Sequence, residues 1–233
     1  MSKKIYALSD IHGRDINISM FEDKGFDLKN KNHIIVLVGD YFDRNDKNLL
    51  VLRFIKKYKK VLKDRFIALK GNHDEFVFNF IKYIEDNVDF ENKLTHNEEN
   101  LDRWLRNGGD ITIRQLFGPY KGRYTKSKQK ALLRLKDFEA IVDDYYETDN
   151  YIFTHASINE ERIIDVWDRD FMHTGFNTNK TTIIGHTTHK YLVENSKIYD
   201  FGLGSVAQSL NQTKSPVLNI DNGLGNNIVV FED

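Results

Sequence analysis

The 233-residue sequence contains no cysteine and only two prolines. The absence of cysteine excludes disulfide bonds, thiolate metal ligands and a cysteine nucleophile. Any bound metal would therefore be held by histidine, by carboxylate, amide or backbone oxygen, or by water. Lysine and arginine total 34 against 35 acidic residues, and the formal charge of -1 provides no overall attraction to nucleic acid or to an anionic membrane.

Long apolar runs are also absent, since no stretch approaches the ~20 apolar residues of a membrane span. The first six residues lack the features of a signal peptide. We therefore expect a cytoplasmic protein that binds no membrane and makes no specific contact with nucleic acid. Hydrophobic residues make up 40% of the chain, which excludes a wholly disordered protein. No repeat or Pro-rich linker divides the sequence, so we expect one domain over residues 1–233.

Short apolar runs that end in small polar clusters recur along the sequence and predict buried β-strands. The predicted strands cover residues 4–8, 33–38, 65–69, 151–153, 181–184, 197–201, 217–220 and 227–231. Amphipathic patterns predict helices over residues 46–62, 74–88 and 128–142. This order predicts an α/β fold with a mixed sheet or a pair of sheets. The polar, turn-rich stretch of about residues 89–126 is predicted to be an excursion from that core.

The polar clusters at the ends of five predicted strands contain residue types that bind metals. The residues concerned are Asp10, His12, Asp40, Asn72, His155 and His186. Ligands in open α/β sheets bind outside the carboxyl ends of the strands, where the loops converge, so we expect these side chains to meet in one crevice. Each cluster alone is compatible with an ordinary turn. Five in series favour a site for Mn, Fe, Zn or Mg, which suit oxygen and nitrogen ligands.

This series of motifs resembles that of the metallophosphoesterases, and more narrowly the phosphoprotein-phosphatase branch in its compact bacterial and phage form. The motifs are Asp10-x-His12-Gly13, Gly39-Asp40-x-x-Asp43-Arg44, Gly71-Asn72-His73-Asp74, Thr154-His155-Ala156 and Gly185-His186-Thr187. Residues 104–109 and 221–223 also resemble this branch. The resemblance implies two mixed β-sheets sandwiched between helices, a four-layer αββα metallophosphoesterase fold.

The resemblance also implies two divalent metal ions, with manganese expected and iron, zinc, nickel or magnesium as alternatives. Asp10, His12 and Asp40 would hold the first ion. Asn72, His155 and His186 would hold the second, with Asp40 shared between the two. A shared carboxylate offsets the repulsion between two dications, and a hydroxide that bridges them would be the nucleophile.

The same resemblance assigns roles to the residues beside these ligands. His73 would be the general acid that protonates the leaving oxygen, and Asp43 would orient it. Arg44 would bind the phosphate with its planar guanidinium. A second phosphate-binding arginine is expected at Arg169, with Arg162 as the rival.

Three positions depart from the family pattern. Asn45 stands where glycine usually follows Asp-Arg, and we expect it to tolerate a left-handed backbone at that turn. Lys70 replaces a common arginine, so we expect a weaker phosphate contact there, or none. Asp74 replaces the commoner glutamate, which we interpret as a mild change.

The implied function is metal-dependent hydrolysis of phosphomonoesters, with phosphoserine and phosphothreonine in proteins as the leading substrates and phosphotyrosine as an extension. The alternatives are a diadenosine tetraphosphate hydrolase and a small-molecule or cyclic-nucleotide phosphoesterase of the same fold. A decayed, metal-stabilised binding module is disfavoured, because a decayed site should have lost His73, Asp43 or a metal ligand, and all of these are present. We expect a monomer. Residues 89–126 and 206–215 are the candidates for the substrate-contacting surface, from position alone.

Overall fold

A computed structural model describes residues 2–88, 99–119, 123–192, 196–200, 204–210 and 214–233. The strands are β1 (Lys4–Leu8), β2 (His33–Leu37), β3 (Phe66–Ala68), β4 (Tyr146–Glu147), β5 (Tyr151–Phe153), β6 (Ser157–Ile158), β7 (Ile164–Asp165), β8 (Thr181–Ile184), β9 (Ser196–Asp200), β10 (Ser205–Ser209), β11 (Val217–Asn219) and β12 (Val229–Glu232). The helices are α1 (Ser19–Glu22), α2 (Asn48–Leu62), α3 (Asn72–Asn87), α4 (Glu99–Trp104), α5 (Asp110–Leu116), α6 (Lys126–Glu139), α7 (Phe171–Thr174) and α8 (His189–Leu192). No helix in these ranges is long and apolar enough to cross a membrane.

The strands form two larger sheets and one small antiparallel pair, β6 with β7. The first sheet has the order β12-β1-β2-β3, in which β1, β2 and β3 are parallel and β12 is antiparallel. The second has the order β4-β5-β8-β11-β10-β9, in which β5, β8 and β11 are parallel and the outer pairs are antiparallel. Both sheets are therefore mixed, and the predicted α/β architecture is confirmed.

The apolar strands are buried on both faces, because successive side chains point to opposite sides of a sheet. Ile5 and Val36 pack between the two sheets, against Phe153 and Ile183 of the second sheet. The alternate positions of β1 and β2 pack with α2, α3 and α6 in a second cluster. The other face of the second sheet packs with α7 and α8. The result is four layers, with helices outside both sheets.

Helix α3 begins two residues earlier than its apolar pattern predicts. The Asp74 carboxylate accepts the backbone N–H of Gly71 at 2.9 Å and so caps the start of the helix. The cap holds Asn72 and His73 in the first helical turn, directly after β3. Their side chains therefore leave a rigid element rather than a loop.

The described part of the predicted excursion packs into the core. Its buried apolar side chains are Leu101, Trp104, Ile113, Leu116 and Phe117. A five-residue π-helical turn, Leu105–Gly109, joins α4 to α5. Residues 89–98 and 120–122 of the excursion lie outside the described residues. The segment has few apolar residues among many polar ones, so its packing against the core could not be predicted from the sequence.

The second candidate for a substrate surface, residues 206–215, begins inside the second sheet. Strand β10 lies between β11 and β9, and Val206 and Ala207 are fully buried. Residues 211–213 lie outside the described ranges. The prediction of a contact surface is therefore wrong for Val206 and Ala207, because both side chains fill the interior.

Replacement of Phe138 tests the packing of α6 on the first sheet. Its ring is fully buried and its centre lies 5.0 Å from that of Phe42 and 5.8 Å from that of Tyr41. We expect Phe138→Ala to lower the free energy of unfolding by about 3–5 kcal/mol, measured by urea denaturation. The control Leu133→Ala changes a side chain on the same helix that is 56% exposed, and we expect a change within about 0.5 kcal/mol. Equal effects of the two variants would contradict this packing.

Candidate metal centre

The six predicted metal ligands lie together at the carboxyl ends of five strands. Asp10 and His12 follow β1, Asp40 follows β2, and Asn72 follows β3. His155 and His186 follow β5 and β8 of the second sheet, so the site lies where the two sheets meet. These six residues are at most 8% exposed. The parallel register pairs Leu8 with Leu37, which starts the loops after β1 and β2 at the same level.

Asp40 stands between two groups of ligand atoms. Its Oδ2 lies 3.4 Å from His12 Nε2, and its Oδ1 lies 3.4 Å from His155 Nε2. Asp10 Oδ1 lies 3.8 Å from the same His12 nitrogen. A single carboxylate thus faces both groups, which is where a bridging ligand would stand.

Three ligand atoms converge on the far side of Asp40. Asn72 Oδ1 lies 2.8 Å from His186 Nδ1 and 3.1 Å from His155 Nε2. The two imidazole nitrogens are 3.2 Å apart. With Asp40, the two histidines form a group whose ligand atoms all lie within 4.8 Å of one another. This spacing suits a single ion held by nitrogen and oxygen.

Hydrogen bonds to backbone carbonyls orient two of the histidines. Nδ1 of His12 donates to Phe42 O at 2.9 Å, and Nδ1 of His155 donates to Val38 O at 2.8 Å. Because a carbonyl can only accept, Nε2 of each ring keeps its lone pair, as in many metal-binding histidines. Nε2 of His12, which faces Asp10 and Asp40, is buried without a hydrogen-bond partner. Such an atom is costly to bury unless a ligand occupies the site, and a metal fits it.

The electrostatics of the site also fit divalent cations. Burial lowers the pKa of His12 and of His186 to about 3, so both rings are neutral near pH 7. Burial and the neighbouring Asp40 raise the pKa of Asp10 to about 8. Burial, followed by the charge of Asp10, likewise raises the pKa of Asp221 to about 8. Neutral imidazoles beside crowded carboxylates are the donor set that Mn, Fe or Zn would stabilise.

Backbone strain concentrates at this site. Six of the eight described non-glycine residues with positive φ belong to it: Asp10, His12, Asp40, Asp43, Arg44 and His186. Each such conformation costs on the order of 1–3 kcal/mol, and such residues cluster at functional sites. The close packing of Gly71 against Asp40 adds a further constraint on the backbone, because a Cβ on Gly71 would lie 2.3 Å from Asp40 Oδ1.

The turn after Asp40 differs from the prediction. The left-handed residues are Asp43 (φ 74°) and Arg44 (φ 68°), and Asn45 is not among them. The Asn45 side chain instead donates to the backbone carbonyl of His12 at 2.8 Å. Asn45 therefore ties the loop after β2 to the loop after β1.

Asp74 has a larger role than its interpretation as a mild substitution suggests. Its fully buried carboxylate accepts the backbone N–H groups of Asp40 at 2.8 Å, Tyr41 at 3.1 Å and Gly71 at 2.9 Å. These bonds join the loop that carries Asp40 to the start of the helix that carries Asn72. The three contacts depend on tertiary structure and leave no pattern in the sequence.

His73 and Asp43 form a buried pair beside the predicted metal ligands. Nδ1 of His73 lies 2.6 Å from Asp43 Oδ2, and Nε2 accepts from Arg44 Nη2 at 3.0 Å. His73 also lies within ligand distance of His12 and Asp40. Because Nδ1 is directed at Asp43 and the Nε2 lone pair is taken by the Arg44 donor, the geometry favours Asp10 over His73 as the third member of the first group.

The candidate phosphate-binding cations have different surroundings. Arg169 is exposed, lies 3.4 Å from Thr187 Oγ1, and its charge contributes to the lowered pKa of His186. Arg162 is engaged in a forked pair with Glu147 at 2.8 and 2.9 Å. Lys70 pairs with Asp144 at 3.1 Å. Arg169 thus faces the site, whereas Arg162 is bound to Glu147 and Lys70 to Asp144.

Arg14 was not predicted as a residue of the site, although it directly follows the first motif. Its Nη2 donates to Gly223 O at 3.0 Å, and its Nη1 lies 3.4 Å from Asp10 O. Burial, followed by the charge of Arg44, lowers its pKa. The position beside Asp10-x-His12-Gly13 was the available signal.

The remaining described histidines have partners within the protein. His33 accepts the backbone N–H of Asp27 at 2.9 Å, His173 bonds to Ser209 Oγ at 2.8 Å, and His189 donates to Asn219 O at 2.9 Å. His96 lies outside the described residues.

A family model of the calcineurin-like phosphoesterases matches residues 3–205. The chain belongs to this family. The predicted resemblance to metallophosphoesterases and the predicted enzyme class, a metal-dependent phosphatase, are thereby confirmed. No curated protein matches the chain.

Solved structures of phosphatases share the fold of this phosphoesterase. A cold-active protein-tyrosine phosphatase from a psychrophilic Shewanella has a TM-score of 0.53 and 16% identity, over 96% of this chain and 72% of that one. A Saccharomyces cerevisiae protein serine/threonine phosphatase with similarity to human phosphatase PP5 has a TM-score of 0.51 and 12% identity, over 99% and 79%. At these identities the likeness is one of fold.

Replacement of Asp40 tests whether the two groups of this phosphoesterase hold metal. We expect the metal-depleted protein to bind two Mn²⁺ ions in isothermal titration. We expect Asp40→Asn to weaken both sites by about 100-fold or more, since even outer-shell changes cost 10–100-fold in affinity. His173→Gln is the matched control, because it changes a histidine outside the site, and it should keep both ions. Retention of both affinities in Asp40→Asn would contradict the shared ligand.

Proposed function

We propose that this phosphoesterase is a dinuclear-metal-dependent phosphomonoester hydrolase that acts on phosphoserine and phosphothreonine in proteins, and on phosphotyrosine. The observation that carries the proposal is the position of the Asp43–His73 pair, which lies against His12 and Asp40 where the two ligand groups share Asp40. With metal bound, such an arrangement would supply a nucleophile on one side of a phosphate and an acid on the other. Location in the cytoplasm and a monomeric state are part of the proposal.

Asp10, His12 and Asp40 would hold the first ion, and Asp40, Asn72, His155 and His186 the second. Manganese is our leading candidate, with iron, zinc, nickel and magnesium as alternatives that the same ligands accept. When bound, two such ions would lower the pKa of a water molecule and supply hydroxide for in-line attack at phosphorus. Because the nucleophile comes from solvent, no covalent phospho-enzyme is expected.

The residues around His73 would handle the phosphate and the leaving group. Arg44, which donates to His73 Nε2 in this structure, would donate to the phosphate oxygens of a bound substrate, together with Arg169. A proton on Nε2 of His73 would pass to the ester oxygen that joins phosphorus to the serine or threonine side chain. The phosphorus–oxygen bond would break at the same time, so that serine or threonine leaves as an alcohol. Asp43 would hold Nδ1 and stabilise the charged ring.

The named solved structures support a protein substrate, since one is a protein-tyrosine phosphatase and another a protein serine/threonine phosphatase. A diadenosine tetraphosphate hydrolase, or a small-molecule or cyclic-nucleotide phosphoesterase, would use the same buried groups. These functions differ in the surface around the phosphate rather than in the metal ligands.

Metal depletion tests the reaction class. We expect chelator-stripped protein to be inactive toward p-nitrophenyl phosphate and Mn²⁺ to restore hydrolysis, measured by release of nitrophenolate. The Asp40→Asn variant should stay inactive under the same conditions. Persistent inactivity of the wild-type protein with two ions bound would overturn the proposal.

A comparison of two substrates tests the substrate class. We expect kcat/KM to be at least about tenfold higher for a phosphoserine peptide than for diadenosine tetraphosphate, because discrimination is set by differential transition-state binding. The measurement is phosphate release for the peptide and chromatographic separation of mononucleotides for the dinucleotide. A preference for the dinucleotide would assign the protein to the alternative function.

A further inference from the structure

We propose that Trp104 and Thr112 are positioning residues for the general acid, because they fix the Asp43 carboxylate that orients His73. The inference rests on the proposed function of His73 and deepens it. Both residues lie in the segment that the sequence places outside the core. Neither belongs to the predicted metal, acid or phosphate-binding set.

Hydrogen bonds from three side chains surround the Asp43 carboxylate, which is fully buried. Its Oδ2 accepts from His73 Nδ1 at 2.6 Å and from Trp104 Nε1 at 2.8 Å. Its Oδ1 accepts from Thr112 Oγ1 at 2.5 Å. The Thr112 hydroxyl also accepts the backbone N–H of Asp43 at 2.9 Å, so it contacts this residue twice.

The donor types explain why these partners orient the acid. An indole N–H can only donate, so Trp104 cannot take the Nδ1 proton of His73. Donors on both oxygens fix the plane of the Asp43 carboxylate, and the low dielectric of a buried site strengthens each bond. With Nδ1 directed at Asp43, Nε2 of His73 faces Arg44 at 3.0 Å, on the side proposed for the phosphate.

The local backbone is shaped to bring this segment against the Asp43–Arg44 turn. Trp104 ends α4, and the π-helical turn Leu105–Gly109 leads into α5, which carries Thr112. A Cβ on Gly109 would lie 2.5 Å from the Trp104 ring. Gly108 has a φ of 96°, and a Cβ there would lie 2.8 Å from Arg44 N. The two glycines permit contact with the indole on one side and the turn on the other.

Aromatic packing joins the same groups from a second direction. The Phe76 ring lies 6.4 Å from the Trp104 ring in a stacked arrangement and 5.9 Å from the His73 ring, edge to face. The acid, its carboxylate and the two positioning residues therefore form one packed unit. Displacement of Trp104 or Thr112 would change the direction of His73 without removing a metal ligand.

The dependence of the rate on the leaving group tests the inference in the full-length, manganese-loaded protein. Phenyl phosphate has a poorer leaving group than p-nitrophenyl phosphate and so depends more on an acid. We expect Thr112→Val to lower kcat for phenyl phosphate about tenfold and for p-nitrophenyl phosphate less than about twofold. The tenfold loss is smaller than the roughly 100-fold or greater contribution of a general acid, because the variant misdirects His73 without removing it. Thr112→Ser, which keeps the hydroxyl, should restore the wild-type ratio, and both variants should keep two Mn²⁺ ions.

Two further variants make the outcome independent of the stability of Thr112→Val. Trp104→Phe removes the N–H and keeps a ring, and we expect it to shift the ratio in the same direction. Trp167→Phe is the matched control, because the Trp167 N–H also donates to a carboxylate, Glu75 Oε2 at 2.7 Å, and its ring also packs on Phe76. The control should leave the ratio between the two substrates unchanged.

His73→Asn separates failure of this inference from failure of the proposed function. Inactivity of the wild-type protein on both esters would overturn both. A wild-type ratio in His73→Asn would remove the general acid and the positioning role with it. A leaving-group effect in His73→Asn that is missing from Thr112→Val and Trp104→Phe would overturn the positioning role alone. Equal losses on both substrates would indicate a purely structural role and would also overturn it.

Discussion

The rest of the site depends on the contacts that the buried carboxylate of Asp40 makes. This carboxylate faces His12 on one side and His155 on the other, and its Oδ1 accepts the backbone N–H of His73 at 2.9 Å. A buried charge needs compensation, and in this site Asp10 adds a second carboxylate rather than a cation. Divalent metal ions would resolve the conflict, because they would neutralise both groups and satisfy the unpaired Nε2 of His12. Metal binding would therefore be coupled to the stability of the native fold.

The strained loops around Asp40 persist because the strands that end in them are over-determined by packing. β1 and β2 are buried on both faces, so a shift of either strand by one residue would turn its side chains to the wrong layer. The carboxyl ends of these strands are consequently fixed, and Asp74 fastens the loop after β2 to α3 by three backbone N–H groups. Apolar layers thus sustain the positive φ values of a polar site.

Local features of the sequence, namely strand ends and residue chemistry, predict an α/β fold with mixed sheets and the meeting of six ligand-type residues, and the resemblance to metallophosphoesterases adds the four-layer arrangement. The sequence does not predict contacts between distant segments. Arg162 and Arg169 stand seven positions apart and look alike in sequence, and only the folded position of Glu147 separates them. The Asn45 turn was predicted from its residue type, whereas the left-handed residues are the two before it, because Asp43 and Arg44 have to face His73.

The molecule divides the chemistry of its site between two structural units. The edges of the two sheets carry the ligands that would generate the nucleophile. The proposed leaving-group side is assembled from the loop after β2 and from the α4–α5 segment, which contacts Asp43 through Trp104 and Thr112 and packs on Arg44 through Gly108. Since Arg44, the proposed phosphate-binding residue, and Asp43, the partner of the proposed acid, touch the same segment, a shift of that segment would move both together. Substitutions there can therefore alter the preference for leaving groups while the metal ligands stay in place.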